Sequence, residues 1–170
     1  MAFAVWLTGP PGAGKSTIAA ALGRAGLGAA VLESDVLRAV LTPRPRYDDE
    51  ERETFYGALV WIGSLLVRHG VSVVFDATAQ RRAWRERARR EIPNFLEVHV
   101  DCPLELRAVR DPKGLYRAAA EGRATSLPGV QSPYEPPERP DLVVRTDRES
   151  PEAAAGRILA ALDAFGWRAH

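Results

Sequence analysis

The sequence predicts a three-layer α/β fold in which a five-stranded parallel sheet is flanked by helices. Five short apolar runs are near-continuous rather than alternating, which is the pattern of strands that are buried on both faces of a parallel sheet. Segments with helical character separate these runs, as the crossover connections of parallel strands require. The predicted strands cover residues 3–7, 29–32, 71–75, 95–100 and 142–144.

Seven helices are predicted, and several of them carry start or stop signals. Ser150 precedes Pro151 at the start of the last helix, and Gly70 follows His69 at the end of the third. Two proline-rich stretches, residues 42–47 and 126–140, are predicted as loops. The predicted helices cover residues 15–22, 35–41, 49–68, 80–90, 103–109, 115–121 and 151–165.

The turn between the first strand and the first helix carries the most specific motif. Residues 9–16 read GPPGAGKS, which is the pattern GxxxxGK(S/T) in its strand-to-helix context. Gly12 and Gly14 allow a tight turn that gathers backbone N–H groups, and the helix N-terminus adds a positive end. The sequence thus predicts a P-loop NTPase fold that binds ATP; the bland alternative is a chance glycine-rich turn. The predicted ATP-binding residues are Gly9, Pro10, Pro11, Gly12, Ala13, Gly14, Lys15, Ser16 and Thr17.

Two residues are predicted to serve a Mg²⁺ ion beside the phosphates. The Ser16 hydroxyl stands at the P-loop position that completes a magnesium shell. Asp76 follows the third predicted strand, as the aspartate of a Walker B pattern does. A second interpretation of Asp76 is equally consistent with the sequence, namely that it caps the helix that begins near Gln80.

The segment after the second strand is predicted to act on the acceptor of the phosphoryl group. Ligands of open parallel sheets bind at the carboxyl ends of the strands, where Asp35 and Arg38 lie one helical turn apart. Asp35 is predicted to accept the proton of an attacking hydroxyl, and Arg38 to hold an anionic group. The alternative is a structural role, with Asp35 as a helix cap that pairs with Arg38.

Composition limits the remaining functions. The 170 residues fit one domain, and the net charge of +1 gives no global attraction to nucleic acid. The arginine-rich segment 81–90 is therefore interpreted as a solvated outer face, although nucleic acid stays an alternative partner. The absence of a leader or an apolar span predicts a cytoplasmic protein without membrane contact. Cys102 is the lone cysteine and is expected to be a buried structural thiol.

Two further motifs resemble the adenylylsulfate kinase family, whose members phosphorylate the 3′-hydroxyl of adenosine 5′-phosphosulfate with ATP. They are DPKGLY at residues 111–116 and PYEPP at 133–137. The resemblance implies a single kinase domain over residues 1–170, with a proline-rich lid at roughly 111–140, a role in sulfate assimilation, and ATP with Mg²⁺ as cofactors. It also implies a nucleotide-like small-molecule acceptor and leaves a homodimer open.

The resemblance assigns roles to individual residues. Asp35, Lys15 and Lys113 are the implied catalytic residues, and Lys113 is expected near the transferred phosphate, where a cation offsets developing charge. A surface lysine is the alternative for Lys113. Tyr47 and Leu127 stand where the family has phenylalanines that pack on adenine. The predicted acceptor-binding residues are Arg38, Tyr47, Arg52 and Leu127.

The chain departs from the family pattern on the acceptor side. Phe55 to Ala58 replace an Asn-Ile-Arg-Arg stretch, and residues 76–79 replace an Ile-Ser-Pro segment. The segment at Ser34 to Arg38, with the residues after the third strand, is also similar to polynucleotide 5′-hydroxyl kinases. Two alternatives therefore stay open: a P-loop kinase for another hydroxyl, or a nucleotide-binding regulatory protein without activity.

Overall fold

A computed structural model describes residues 1–168, and over these residues the sheet has five parallel strands. The strands are β1 (Ala4–Thr8), β2 (Ala30–Glu33), β3 (Val73–Asp76), β4 (Phe95–Asp101) and β5 (Leu142–Arg145). Their order in the sheet is β2-β3-β1-β4-β5, so β1 lies in the centre. This arrangement is the predicted α/β architecture.

The helices of residues 1–168 begin and end close to the predicted positions. They are α1 (Lys15–Arg24), α2 (Ser34–Leu41), α3 (Asp49–Arg68), α4 (Arg82–Glu91), α5 (Leu104–Arg110), α6 (Leu115–Ala120) and α7 (Pro151–Ala164). Side-chain caps fix two of the starts, because Asp48 accepts a hydrogen bond from the Glu51 amide and Ser150 accepts one from the Ala153 amide. Within the described part of the chain, no helix is both long and apolar enough to span a bilayer.

The core has two halves, one on each face of the sheet. Val5 and Leu7 of β1 pack with residues of α1 and α7 on one face, whereas Trp6 faces α3 and α4 on the other. Trp6 stacks on Phe75 of β3 with ring centroids 4.5 Å apart. Every residue of β1 is fully buried, which explains why its sequence is apolar without alternation.

The interpretation of segment 81–90 as a solvated outer face is wrong for Arg85. Its side chain is buried, and its guanidinium donates hydrogen bonds to three segments of the chain. The acceptors are Glu97 Oε1 on β4 at 2.8 Å, the Glu135 carbonyl at 2.6 Å and the Ala79 carbonyl. Because Glu97 supplies a buried counter-charge, Arg85 can occupy the face of α4 that packs on the sheet.

The glycine at position 63 is required by the ring of Phe75. A Cβ atom at Gly63 would overlap this ring, which cannot move because it is buried against Trp6. We expect Gly63→Ala to lower the free energy of unfolding by about 1–3 kcal/mol, measured by urea denaturation. Gly57→Ala is the control in the same helix, because a Cβ there meets only the mobile end of Arg87. It should be neutral or stabilising by up to about 1 kcal/mol, and equal losses in both variants would contradict the packing argument.

Candidate active site

A cavity of about 450 Å³ opens at the carboxyl edge of the sheet. Its walls are formed by the P-loop, the start of α2, the end of β3 and the segment of residues 110–116. The structure thus brings Lys15, Ser16, Asp35, Asp76 and Lys113 into one site, as the sequence predicts. Some of the remaining P-loop residues line the cavity, and the others are buried. Pro11, Gly12, Gly14 and Thr17 line the cavity, whereas Gly9, Pro10 and Ala13 are buried.

Glycines give the P-loop its shape at two positions of positive φ. Gly12 has φ 77° and Gly14, which precedes α1, has φ 107°. A Cβ at Gly12 would lie 3.3 Å from the carbonyl oxygen of Arg107 and 3.4 Å from the ring of Tyr116. Both the backbone conformation and the close approach of α5 therefore favour glycine at position 12.

Lys15 is a buried cation, and its hydrogen bonds within residues 1–168 go to backbone carbonyls alone. Its Nζ donates to the Gly9 oxygen at 2.8 Å and to the Pro10 oxygen at 3.1 Å. Burial lowers the pKa of Lys15 from 10.5 to about 8; the charge of Lys113 acts in the same direction, whereas Asp76 opposes it. A phosphate group beside Lys15 would restore the balance of charge, so this position suits a polyphosphate.

Ser16 and Asp76 form a pair of oxygen ligands at the floor of the cavity. The Ser16 hydroxyl donates a hydrogen bond of 2.6 Å to Asp76 Oδ2. Asp76 is the last residue of β3, and α4 begins after Arg81 without a side-chain cap, so Asp76 does not cap that helix. A hydroxyl and a carboxylate are hard oxygen donors of the kind that Mg²⁺ prefers, and the pair therefore fits this ion.

Asp35 pairs with Lys113 rather than with Arg38. The Lys113 ammonium donates to Asp35 Oδ2 across the mouth of the cavity, and both side chains are exposed. Arg38 instead forms an ion pair with Glu51 of α3 at 3.1 Å. The alternative i,i+3 pair of Asp35 and Arg38 is therefore not formed, and Asp35 is not the cap of α2, whose N-cap residue is Glu33.

The predicted acceptor residues Arg38, Tyr47 and Arg52 gather beside the cavity without lining it. The guanidinium carbon of Arg38 lies 4.0 Å from the ring centroid of Phe55 and 5.1 Å from that of Tyr47. The guanidinium carbon of Arg52 lies 5.9 Å from the Tyr47 centroid. Arg52 also donates to the carbonyl oxygen of Ser126 at 3.2 Å, which connects α3 to the segment predicted as a lid.

Arg52 is a buried cation for which residues 1–168 supply no carboxylate at ion-pair distance. Only 7% of its surface is exposed. Burial lowers the pKa of Arg52, and the neighbouring charge of Arg38 acts in the same direction. A buried guanidinium without a counter-charge is unfavourable. An anionic ligand would compensate this cost, so the pair of arginines suits the anionic part of an acceptor.

Three residues at which the chain departs from the family pattern, Phe55, Ala79 and Leu127, are buried. Leu127 is 6% exposed and is not among the residues that line the cavity, and its carbonyl accepts hydrogen bonds within the turn formed by residues 127–132. Phe55 is buried beneath Arg38. Ala79 has φ 43°, and its amide donates to the Tyr56 hydroxyl at 3.1 Å. These residues therefore lie behind the site and do not line the cavity.

Among the cavity-lining residues that no sequence motif indicated are Arg110, Thr146 and Glu149. Arg110 donates to the Thr146 hydroxyl at 3.1 Å and to its carbonyl at 2.8 Å. The Thr146 hydroxyl in turn donates to the Ala13 carbonyl of the P-loop at 2.7 Å. Thr146 follows the fifth strand, so the rule that ligands bind at the carboxyl ends of strands could have found it.

The fold and the cavity define a P-loop phosphotransferase, and comparisons with known proteins identify the family. The sequence model of the adenylylsulphate kinase family matches residues 1–145. A probable adenylyl-sulfate kinase of Archaeoglobus fulgidus is 42% identical over 152 residues, covering 87% of this chain and 98% of the relative. An adenylyl-sulfate kinase of Rippkaea orientalis is 39% identical over 97% of this chain and 93% of its own.

A solved structure agrees with these sequences. The Mycobacterium tuberculosis APS kinase CysC in complex with AMPPNP and APS has a TM-score of 0.88 and 33% identity, and the match covers 95% of this chain and 98% of that protein. The chain therefore belongs to the adenylylsulphate kinase family. The predicted fold, the family resemblance and the predicted class of enzyme, an ATP-dependent kinase, are confirmed.

The lowered pKa of Lys15 predicts a pH dependence of stability. Between pH 8 and 10.5 the unfolded chain binds more protons at Lys15 than the native protein does, so native stability rises with pH in this window. Below pH 8 both states are protonated, and the full cost of burying the charge is present. Relative to the Lys15→Met variant, the free energy of unfolding of the wild type should rise by about 2 kcal/mol between pH 7.5 and pH 10. Denaturant unfolding of both proteins at each pH measures this difference. A difference that is constant over this range would contradict the pKa assignment.

Proposed function

We propose that this chain transfers the γ-phosphoryl group of ATP to the 3′-hydroxyl of adenosine 5′-phosphosulfate. The observation that carries the proposal is the single cavity that joins Lys15, Asp35 and Lys113, with the buried cation Arg52 beside it. The family supports the choice of acceptor, as does the similar Mycobacterium tuberculosis enzyme in complex with AMPPNP and APS.

ATP occupies the cavity along its length in this proposal. The triphosphate lies over the P-loop, where Lys15 offsets its charge, and the adenine lies toward Arg110 and Thr146. Ser16 and Asp76 would hold Mg²⁺, which when bound neutralises charge on the β- and γ-phosphate oxygens. This arrangement leaves the γ-phosphate facing the ion pair of Asp35 and Lys113.

The acceptor hydroxyl attacks the γ-phosphorus atom from the side of α2. Its oxygen forms the new P–O bond, the bond from the γ-phosphorus to the bridging oxygen breaks, and ADP leaves with that electron pair. Asp35 orients the hydroxyl and receives its proton. Lys113 lies within reach of Asp35 and gains a second anionic partner in the phosphoryl group, whose charge it offsets during transfer.

The acceptor is held by its anionic part. Arg38 and Arg52 bind the phosphosulfate, and Tyr47 packs on the adenine, since its ring lies beside both guanidinium groups. Glu51 fixes this arrangement because it pairs with Arg38 and accepts hydrogen bonds from the amides of Arg46 and Tyr47. Leu127 contributes by shaping the lid turn. A cytoplasmic location, a single domain over residues 1–170 and a homodimer stay predictions from the sequence.

A transfer assay with labelled ATP and Mg²⁺ tests the choice of acceptor. We expect adenosine 5′-phosphosulfate to be phosphorylated, and unmodified adenosine and a 5′-hydroxyl oligonucleotide to react at least about a hundredfold more slowly. Adenosine has no anionic group, and the oligonucleotide, although anionic, has no 5′-phosphosulfate for Arg38 and Arg52 to hold. Transfer to the oligonucleotide alone would identify the alternative kinase. Tight ATP binding without transfer to any acceptor would identify a regulatory protein.

Two substitutions separate the chemical step from acceptor binding. Asp35→Asn removes the proton acceptor, so we expect kcat to fall by about two to four orders of magnitude while the affinity for ATP changes little. Arg52→Met keeps the buried stem but removes the charge, so the KM for the acceptor should rise about tenfold or more with the KM for ATP unchanged. Near-normal turnover in Asp35→Asn would refute the base assignment.

A further inference from the structure

Behind the P-loop lies Arg107, a buried arginine that, like Arg52, has no carboxylate partner among residues 1–168 and that takes no part in the proposed phosphoryl transfer. Arg107 of α5 is 7% exposed, and within residues 1–168 it forms no ion pair with a carboxylate. Its Nε donates to the Cys102 carbonyl at 3.0 Å, and its Nη1 donates to the Tyr116 hydroxyl at 2.9 Å. Its positive charge acts on Lys15, whose pKa it helps to lower. Arg107 is therefore a buried cation close to the phosphate site.

The Tyr116 hydroxyl links Arg107 to the P-loop by hydrogen bonds. It accepts the hydrogen bond from Arg107 and donates one of 2.6 Å to the carbonyl oxygen of Pro11. The ring of Tyr116 also lies 3.4 Å from the position of a Cβ at Gly12. Because Tyr116 ends the DPKGLY segment, which also carries Lys113, one hydroxyl joins the first part of the lid to the turn that shapes the P-loop.

The second part of the lid meets the same guanidinium. Gly129, at φ 80°, lies in the turn of residues 127–132, where its amide donates to the Ser132 carbonyl at 2.8 Å. A Cβ at Gly129 would lie 3.4 Å from Arg107 Nη1 and 3.4 Å from Pro10. Arg107 thus bonds to Tyr116 in the first part of the lid and lies close to Gly129 in the second part, where each approaches the P-loop.

We propose that Arg107 is a positioning residue that makes ATP affinity depend on the docked lid. By holding Tyr116 and the turn of residues 127–132 against Pro10 and Pro11, it gives the P-loop its phosphate-binding shape only while the lid lies on it. Its charge also favours bound phosphate over the empty P-loop, since residues 1–168 offer it no carboxylate at ion-pair distance. The assignment of ATP to the cavity is part of the proposed function and is the ground on which this inference rests.

The test measures the affinity for AMPPNP by calorimetry in the presence of Mg²⁺. Arg107→Met and Tyr116→Phe should each weaken binding about five- to tenfold, and the double variant should be no weaker than Arg107→Met, because both substitutions break one chain of hydrogen bonds. Tyr134→Phe is the matched control. Its hydroxyl contacts Thr8 at 3.1 Å rather than the P-loop, so AMPPNP affinity should stay within twofold of wild type.

Hydrogen exchange of residues 111–132 supplies the readout that a merely structural role would not change. AMPPNP should slow exchange of this segment in the wild type and in Tyr134→Phe, and should fail to do so in Arg107→Met and Tyr116→Phe. Unchanged AMPPNP affinity in Tyr116→Phe, or additive losses in the double variant, would overturn the inference. A wild type that binds AMPPNP but does not phosphorylate adenosine 5′-phosphosulfate would contradict the proposed function alone.

Discussion

The site depends on the position of β1 between β3 and β4. Leu7 of β1 lies opposite Asp76 of β3, and Asp76 lies opposite Glu33 of β2, so the carboxyl ends of these three strands are level. The P-loop and the start of α2 therefore leave the sheet at the same height as Asp76. This register places Ser16 within hydrogen-bond distance of Asp76, although 60 residues separate them along the chain.

The buried cations fall into two groups that differ in their partners. Arg85 pairs with the carboxylate of Glu97, and this ion pair joins α4 to β4. Lys15, Arg52 and Arg107 bond only to carbonyl and hydroxyl oxygens in the described residues. All three of these lie beside the cavity or its P-loop wall, so the missing negative charge is a feature of the ligand site and not of the whole core.

This division has a consequence for stability. A buried charge without a counter-charge destabilises the free protein, and an anionic ligand that supplies the counter-charge binds the native state alone. Binding of phosphates and phosphosulfate then relieves the electrostatic cost of the buried charges, which was already present in the free protein. The free enzyme is expected to be less stable than its apolar core would allow, and substrates should raise its stability by mass action.

Local sequence patterns were sufficient to predict the fold and to identify the residues that meet in the cavity. The buried strands are continuous apolar runs, and Lys15, Ser16, Asp35 and Asp76 lie at strand ends, where parallel sheets place their ligands. Arg85 and Arg107 could not be assigned in this way, because an arginine is buried only when distant segments supply its partners. For Arg85 the partner is the Glu135 carbonyl, which lies 50 residues further along the chain. For Arg107 it is the Tyr116 hydroxyl, which itself donates to the Pro11 carbonyl of the P-loop.

The acceptor side shows how the departures from the family pattern are accommodated. Phe55 stands where the pattern has a polar residue, yet its ring lies beneath Arg38 and holds the guanidinium through a cation–π contact. The next residue, Tyr56, stacks on Trp84 of α4 with ring centroids 4.3 Å apart, and its hydroxyl oxygen accepts a hydrogen bond from the Ala79 amide. At position 55 an aromatic side chain thus stands in place of a polar one. In the proposed function Arg38 and Arg52 hold the acceptor, and we expect discrimination among anionic acceptors to depend on the spacing of these two side chains rather than on an additional arginine from α3.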